Sequence, residues 1–234
     1  MHISEGVLPG TVLIAGWILT VALIVISIVW SRKKLGDISE KIPLVAVITA
    51  AFFIACLFKI PVSATSLHLV LSGLVGILLG PLAFICIFVG LVLQALLLQN
   101  GGITVLGVNS FVMGFPAMLA YFVYKLCLKR TKPAISAGAA SVFSIFVSTI
   151  LLAIVLTISG ITFGSLDKLF DIVSNIPVLS TIVAALSGTS FVLTLFLLMV
   201  MNFPLMIIEG IICAFIVPFI GKVKPEMLEN NIEK

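Results

Sequence analysis

The chain reads as an all-α polytopic membrane protein, a bundle of about seven transmembrane helices with its amino terminus outside and its carboxyl terminus inside. Three observations predict this. Of 234 residues, 62% are hydrophobic and 9% charged, and the mean hydropathy is +1.38, so the chain cannot assemble a soluble surface. The apolar residues run in stretches of bilayer length. The basic residues fall into three clusters between such stretches, the pattern that the positive-inside rule gives to cytoplasmic loops.

In chain order the expected spans are Thr11 to Trp30, Ile42 to Leu57, Leu67 to Leu79, Leu82 to Leu98, Val108 to Cys127 and Ile135 to Ile158. From Ile176 to Ile220 the sequence is almost wholly apolar, longer than the roughly 20 residues one crossing needs. Gly188 to Ile220 is read as one long span, tilted or broken, with the irregularity at Asn202 and Pro204. Arg32, Lys33, Lys34 and Lys41 follow the first span, Lys125, Lys129, Arg130 and Lys132 the fifth, and Lys222, Lys224 and Lys234 the last. An odd number of crossings places all three clusters inside, leaving only Lys59 and Lys168 outside that side. Residues 1–234 then form a single integral membrane domain, with an external segment at 1–10 and a cytoplasmic tail at 221–234. No basic stretch precedes the first apolar run, and that run is long enough to span, so no cleaved signal is expected.

The chemistry is expected at the start of the chain. There are two histidines, His2 and His68. The α-amine of Met1, the His2 backbone nitrogen and His2 Nδ1 can close fused five- and six-membered rings around one ion, leaving a fourth corner for His68. Four nitrogens in a plane select Ni(II) or Cu(II) over calcium, magnesium or tetrahedral zinc. Initiator methionine is retained before a residue as large as histidine, so Met1 supplies the amine. The expected topology brings the amino terminus, His68, the loop Gln99 to Thr104 and Asn109 to the same external face.

Other polar residues are weighed beside this pair. His68 needs a partner for its second ring nitrogen, from Ser66, Thr65 or the backbone. Glu5 either offsets the charge of the ion or is a solvated loop carboxylate. Asn100, Gly101, Gly102, Thr104 and Asn109 suggest a compact turn supporting the metal, glycine permitting close backbone approach. Gln94 joins that network or bonds a neighbouring helix. Glu209 is the only acid deep in an expected span, a position that is functional by default or else serves a structural hydrogen bond. Cys56, Cys86, Cys127 and Cys213 lie one per apolar segment, with no disulfide or thiolate-site spacing. Ala46 with Ala50 and Ala51 with Ala55 form small-xxx-small pairs. The chain has no phosphate-binding G-x-x-x-x-G-K-[ST] loop and no H-E-x-x-H. An intramembrane metal-dependent hydrolase and a non-transporting scaffold stand as the rival readings.

Three stretches carry a resemblance: the opening MHISEGVLPG, the segment ATSLHLVLSGLVGILLGP and the run QALLLQNGGITVLGVNSFVMG, with FPLMIIEGIICAFIV as a weaker fourth. On these the chain resembles the cobalt or nickel substrate-binding S components of energy-coupling factor transporters, the CbiM/NikM family. It departs from the family in Leu67 and Leu69 flanking His68, and in Val108 before the asparagine. The resemblance implies a Ni(II) or Co(II) importer subunit rather than an enzyme, with the metal held by Met1, His2 and His68. It also implies an alanine face against a transmembrane coupling subunit, two ATPase subunits as the energy source, and in some systems a small accessory membrane subunit. The S component is expected to topple in the membrane to turn its site inward.

Overall fold

A computed structural model describes residues 2–57, 59–62, 65–161 and 190–228, and within these the side chains of residues 35, 59–62, 65–67 and 190 lie outside the description. Seven α-helices, three short strands and two single turns of 3-10 helix, Ser39–Lys41 and Gly80–Leu82, make up the regular structure among the described residues. Strand β1 is His2–Ile3. Helix α1 runs over Gly10–Leu35, about 39 Å at the helical rise. It starts after Pro9, whose carbonyl accepts from Val12 and Leu13. It ends at Gly36 with φ +71°, beside Arg32, Lys33 and Lys34, whose positive charges suit the negative end of the helix dipole. Asp37, just beyond, accepts a hydrogen bond from the Ser39 backbone, which holds its carboxyl below the ordinary range.

Helix α2 is Ile42–Ala55, and β2 (Lys59–Val62) and β3 (Thr65–His68) follow. Helix α3 is Ser72–Leu79, and α4 is Ala83–Leu98. Helices α5 (Leu106–Leu128), α6 (Pro133–Ile158) and α7 (Ser190–Val223) complete the bundle. The strands form one antiparallel sheet in the order β1-β3-β2.

Five stretches are long and apolar enough to cross a bilayer among the described residues: Gly10–Lys34, Ser72–Leu98, Leu106–Leu128, Pro133–Ile158 and Phe191–Val223. The chain is a multi-pass membrane protein, and large apolar residues such as Ile14, Ile18 and Phe215 face outward from the bundle, where lipid replaces water. Three expectations are corrected. The expected span Leu67 to Leu79 is not a helix throughout, because its first two residues belong to β3 and helix starts only at Ser72. Eight helical residues reach about 12 Å, so α3 does not cross alone, and Ser72–Leu98 forms one apolar stretch broken at Gly80, φ +53°. Helix α2 has 14 residues, about 21 Å, short of the hydrocarbon thickness. Finally, the last run forms the single long span expected, α7, but helix continues through Asn202 and Pro204 rather than ending at them. Asn202 Nδ2 donates to the Leu198 carbonyl one turn back, while its Oδ1 is buried without a hydrogen-bond partner among the described residues. Of the long final run, residues 176–189 lie outside the described residues, as do Lys168 and the last six residues of the tail.

Close packing between helices uses small residues and backbone carbonyls, as in other membrane bundles. A Cβ on Gly76 of α3 would collide with the Ala117 carbonyl oxygen of α5. Thr20 and Ser27 of α1 donate to the carbonyls of Gly107 and Pro81. At one end of the bundle Lys34 bonds the Tyr121 hydroxyl, Lys125 lies 5.7 Å from the same ring, and Tyr124 packs with Val217 and Leu228. The basic carboxyl ends of α1, α5 and α7 therefore lie together.

Candidate metal centre

The histidines, 66 positions apart in sequence, are joined by the sheet. His2 pairs with Ser66 across β1 and β3, and His68 lies two residues further along β3. Side chains two apart share a face of a strand, and diagonal cross-strand neighbours are within reach of large rings. The imidazoles accordingly meet: His2 Nδ1 and His68 Nε2 are 2.6 Å apart, with ring centroids at 4.5 Å and planes inclined by 40°. Both side chains are 2% exposed, so this is a dry site with nitrogen donors facing each other.

The next residue secures the strand. Ile3 is fully buried; its N–H donates to Asn109 Oδ1 at 2.8 Å, and Asn109 Nδ2 donates back to its carbonyl at 3.1 Å. Asn109 thus satisfies both backbone groups of one residue, which would otherwise be buried without partners. The turn before α5 closes over this clamp. Gly101 has φ +86° and Gly102 φ +106°, a region open to glycine and strained for other residues. A Cβ on Gly101 would stand 3.1 Å from Asn109 Nδ2 and 3.4 Å from His2 Cδ2, and one on Gly102 would collide with the Glu5 side chain.

The expected residues sort as follows. His2, His68 and Asn109 come together. Glu5 is exposed and lies against Gly102, beside the site. Asn100 is buried and donates to Gln94 Oε1 at 3.4 Å, so it braces the end of α4. The Thr104 side chain is exposed, and its carbonyl accepts from the Trp17 indole. Met1 and the side chains of Thr65 and Ser66 lie outside the described residues. Ala46, Ala50 and Ala51 are exposed and Ala55 is half-buried. Ala46 and Ala50 line an apolar groove of about 590 Å³ between α2 and α4.

Two residues belong to this region that sequence reading placed elsewhere or left open. Cys56 donates its thiol to the Leu69 carbonyl at 3.3 Å, the same oxygen that His68 Nδ1 contacts at 3.3 Å. Glu209, 1% exposed, accepts from the Val70 and Leu71 backbone N–H groups at 2.6 and 3.0 Å. No local spacing could have announced this contact, because its partners are 138 and 139 positions apart.

Among the described residues no three His, Cys, Asp or Glu side chains gather as a metal-binding group.

A family described as "Cobalt uptake substrate-specific transmembrane region", CbiM, matches residues 2–227. A Haemophilus influenzae protein described as "Putative metal transport protein" is 32% identical over 231 residues, covering 99% of this chain and 98% of its own length. A Thermosipho melanesiensis "Cobalt transport protein CbiM" is 36% identical over 135 residues, 56% of this chain and 57% of its own. The fold resembles that of a crystal structure titled as a transition metal transporter, with a TM-score of 0.76 at 24% identity, over 95% of this chain and 93% of that one.

Proposed function

Because the chain belongs to the CbiM family of cobalt uptake substrate-specific transmembrane regions, we propose that it captures Ni(II) or Co(II) at the external face of the membrane and passes it inward. The observation that carries this reading is the 2.6 Å separation of His2 Nδ1 and His68 Nε2. Two nitrogens bound about 2.0 Å from one ion at right angles stand about 2.8 Å apart, so the pair is already close to the spacing of adjacent ligands. The fused rings formed by the Met1 amine, the His2 backbone nitrogen and His2 Nδ1 leave the corner adjacent to that Nδ1 for His68. Square-planar nitrogen ligation favours nickel, whereas the names of the relatives favour cobalt.

Residues 1–10 act as the external binding segment, and the basic ends of α1, α5 and α7 face the cytoplasm in this reading. The chain is a transport subunit and not an enzyme. Energy comes from two partner ATPase subunits through a transmembrane coupling subunit, which docks on α2 around Ala46, Ala50, Ala51 and Ala55; a small accessory membrane subunit completes some assemblies. The exposure of Ala46, Ala50 and Ala51, the first two of them lining an apolar groove, supports the docking assignment.

The test compares the purified protein with a form carrying one extra residue before Met1, which keeps every side chain and displaces only the amine. Loss of Ni(II) and Co(II) binding is expected. Binding unchanged by the extension overturns the chelate.

A further inference from the structure

We infer that Glu209 is a positioning residue that sets which nitrogen of His68 carries the hydrogen, acting through a single peptide plane. The carbonyl of Leu69 and the N–H of Val70 belong to one rigid planar unit. On one side of that plane Glu209 Oε1 accepts from Val70 N at 2.6 Å. On the other the Leu69 oxygen lies 3.3 Å from His68 Nδ1. A carbonyl oxygen only accepts, so this contact is a hydrogen bond when the imidazole carries its hydrogen on Nδ1. Hydrogen bonds in series polarise one another, and a carboxyl group drawing on the N–H makes the carbonyl at the far end of the plane a better acceptor.

The neutral His68 ring has two places for its hydrogen. On Nδ1 the hydrogen faces the Leu69 carbonyl. On Nε2 it faces His2 Nδ1, 2.6 Å away, and occupies the lone pair that an ion would use. By favouring the first, Glu209 keeps Nε2 open toward His2. It does so from α7, whereas His2 approaches from β1 and His68 from β3. The arrangement is a carboxylate–histidine pair of the kind that orients metal ligands, with a peptide plane interposed.

The second oxygen holds the plane in place. Glu209 Oε2 accepts from Leu71 N at 3.0 Å, and Leu71 sits at φ 53°, ψ 28° as the residue capping α3. A leucine in the left-handed region is uncommon, and its carbonyl starts α3 by accepting from Val75. The chain reverses character here, from strand to helix, within the three residues after His68. A carboxyl gripping two successive N–H groups fixes where that change occurs.

The inference rests on the metal-binding reading only for what the open nitrogen is used for, and the test separates the two. With two histidines in the chain, ¹⁵N-histidine labelling of the full metal-free protein at about pH 8, where an ordinary imidazole is neutral, gives two ring systems, and a His2→Asn sample assigns them. The wild type is expected to show His68 mainly with hydrogen on Nδ1. Glu209→Leu, which removes both acceptors, shifts it toward Nε2, and Glu209→Gln, which keeps one, falls between. Ni(II) affinity falls in the same order, by about 10- to 100-fold for the leucine variant. A wild-type His68 mainly protonated on Nε2 overturns the inference without any variant, as does an unmoved tautomer in a folded Glu209→Gln protein. A tautomer shift in a protein that binds no Ni(II) supports the relay and defeats the metal reading. Tight Ni(II) binding with no shift does the reverse.

Discussion

Replacing Asn109 by alanine removes the clamp on Ile3 and leaves every proposed metal ligand in place. In the intact protein one side chain serves the N–H and the carbonyl of Ile3 at 2.8 and 3.1 Å, at a residue with no exposed surface. Leaving a buried backbone group unpaired costs about 1–3 kcal/mol. Two such groups amount to about 2–6 kcal/mol, and water entering the vacated volume brings the expected penalty to the low end, about 2–3 kcal/mol. That penalty falls on the docked form of β1, so it reduces the fraction of protein in which His2 stands against His68, and apparent affinity falls by that fraction. At about 1.4 kcal/mol per tenfold, Ni(II) binding should weaken by up to about 30- to 150-fold, the full factor applying where the undocked form already predominates in the metal-free protein. The assay is competition against a chromophoric chelator, with thermal unfolding of the metal-free protein as the control for insertion. An affinity within threefold of wild type, in a protein that unfolds normally, would refute the reasoning that docking of the first strand limits binding.

Two further outcomes are expected. An ordinary α-amine has a pKa near 8 and must lose its proton to bind, so from pH 8 to pH 6 its free fraction should fall about 50-fold and the Ni(II) affinity at least as far; a chelator titration that is flat over this interval excludes amine ligation. Gly76→Ala drives a methyl group against the Ala117 carbonyl, and overpacking of this kind costs about 1–3 kcal/mol; a clear drop in melting temperature is expected, and an unchanged one would mean that α3 and α5 separate freely.

The parts of this structure that were legible in the sequence are those written locally. Hydropathy announced a membrane bundle because a bilayer imposes length and composition on each helix. The meeting of the histidines was legible because the chain has only two imidazoles, and a histidine at position two suggests a chelate that the other would complete. Asn109 stood out inside a glycine-flanked motif, although its partner, the backbone of Ile3, did not. The short sheet was invisible, since strands of two and four residues are too brief to show an alternation. An apolar run says nothing of where helix begins within it, which is why Leu67 and His68 were assigned to a span. The departure is explained by Glu209 and by the left-handed Leu71, one a tertiary contact and the other a backbone state that leucine seldom adopts. The single long final span was legible from its apolar length, but Asn202 and Pro204 do not end the helix there, since an amide that bonds the carbonyl one turn back keeps its donor within the helix.

The order of the small sheet has a mechanical consequence. β3 lies in the middle and β1 at the rim, so the two imidazoles are mounted differently: one on a strand paired on both sides, the other on a two-residue flap paired with one strand and clamped by the Asn109 side chain. Lifting the flap breaks its own few hydrogen bonds and leaves the β2-β3 ribbon standing. On the proposed metal-binding reading, loading and unloading would then share one hinge, with a stationary jaw and a travelling one, and the ion would leave when the jaw that travels swings away.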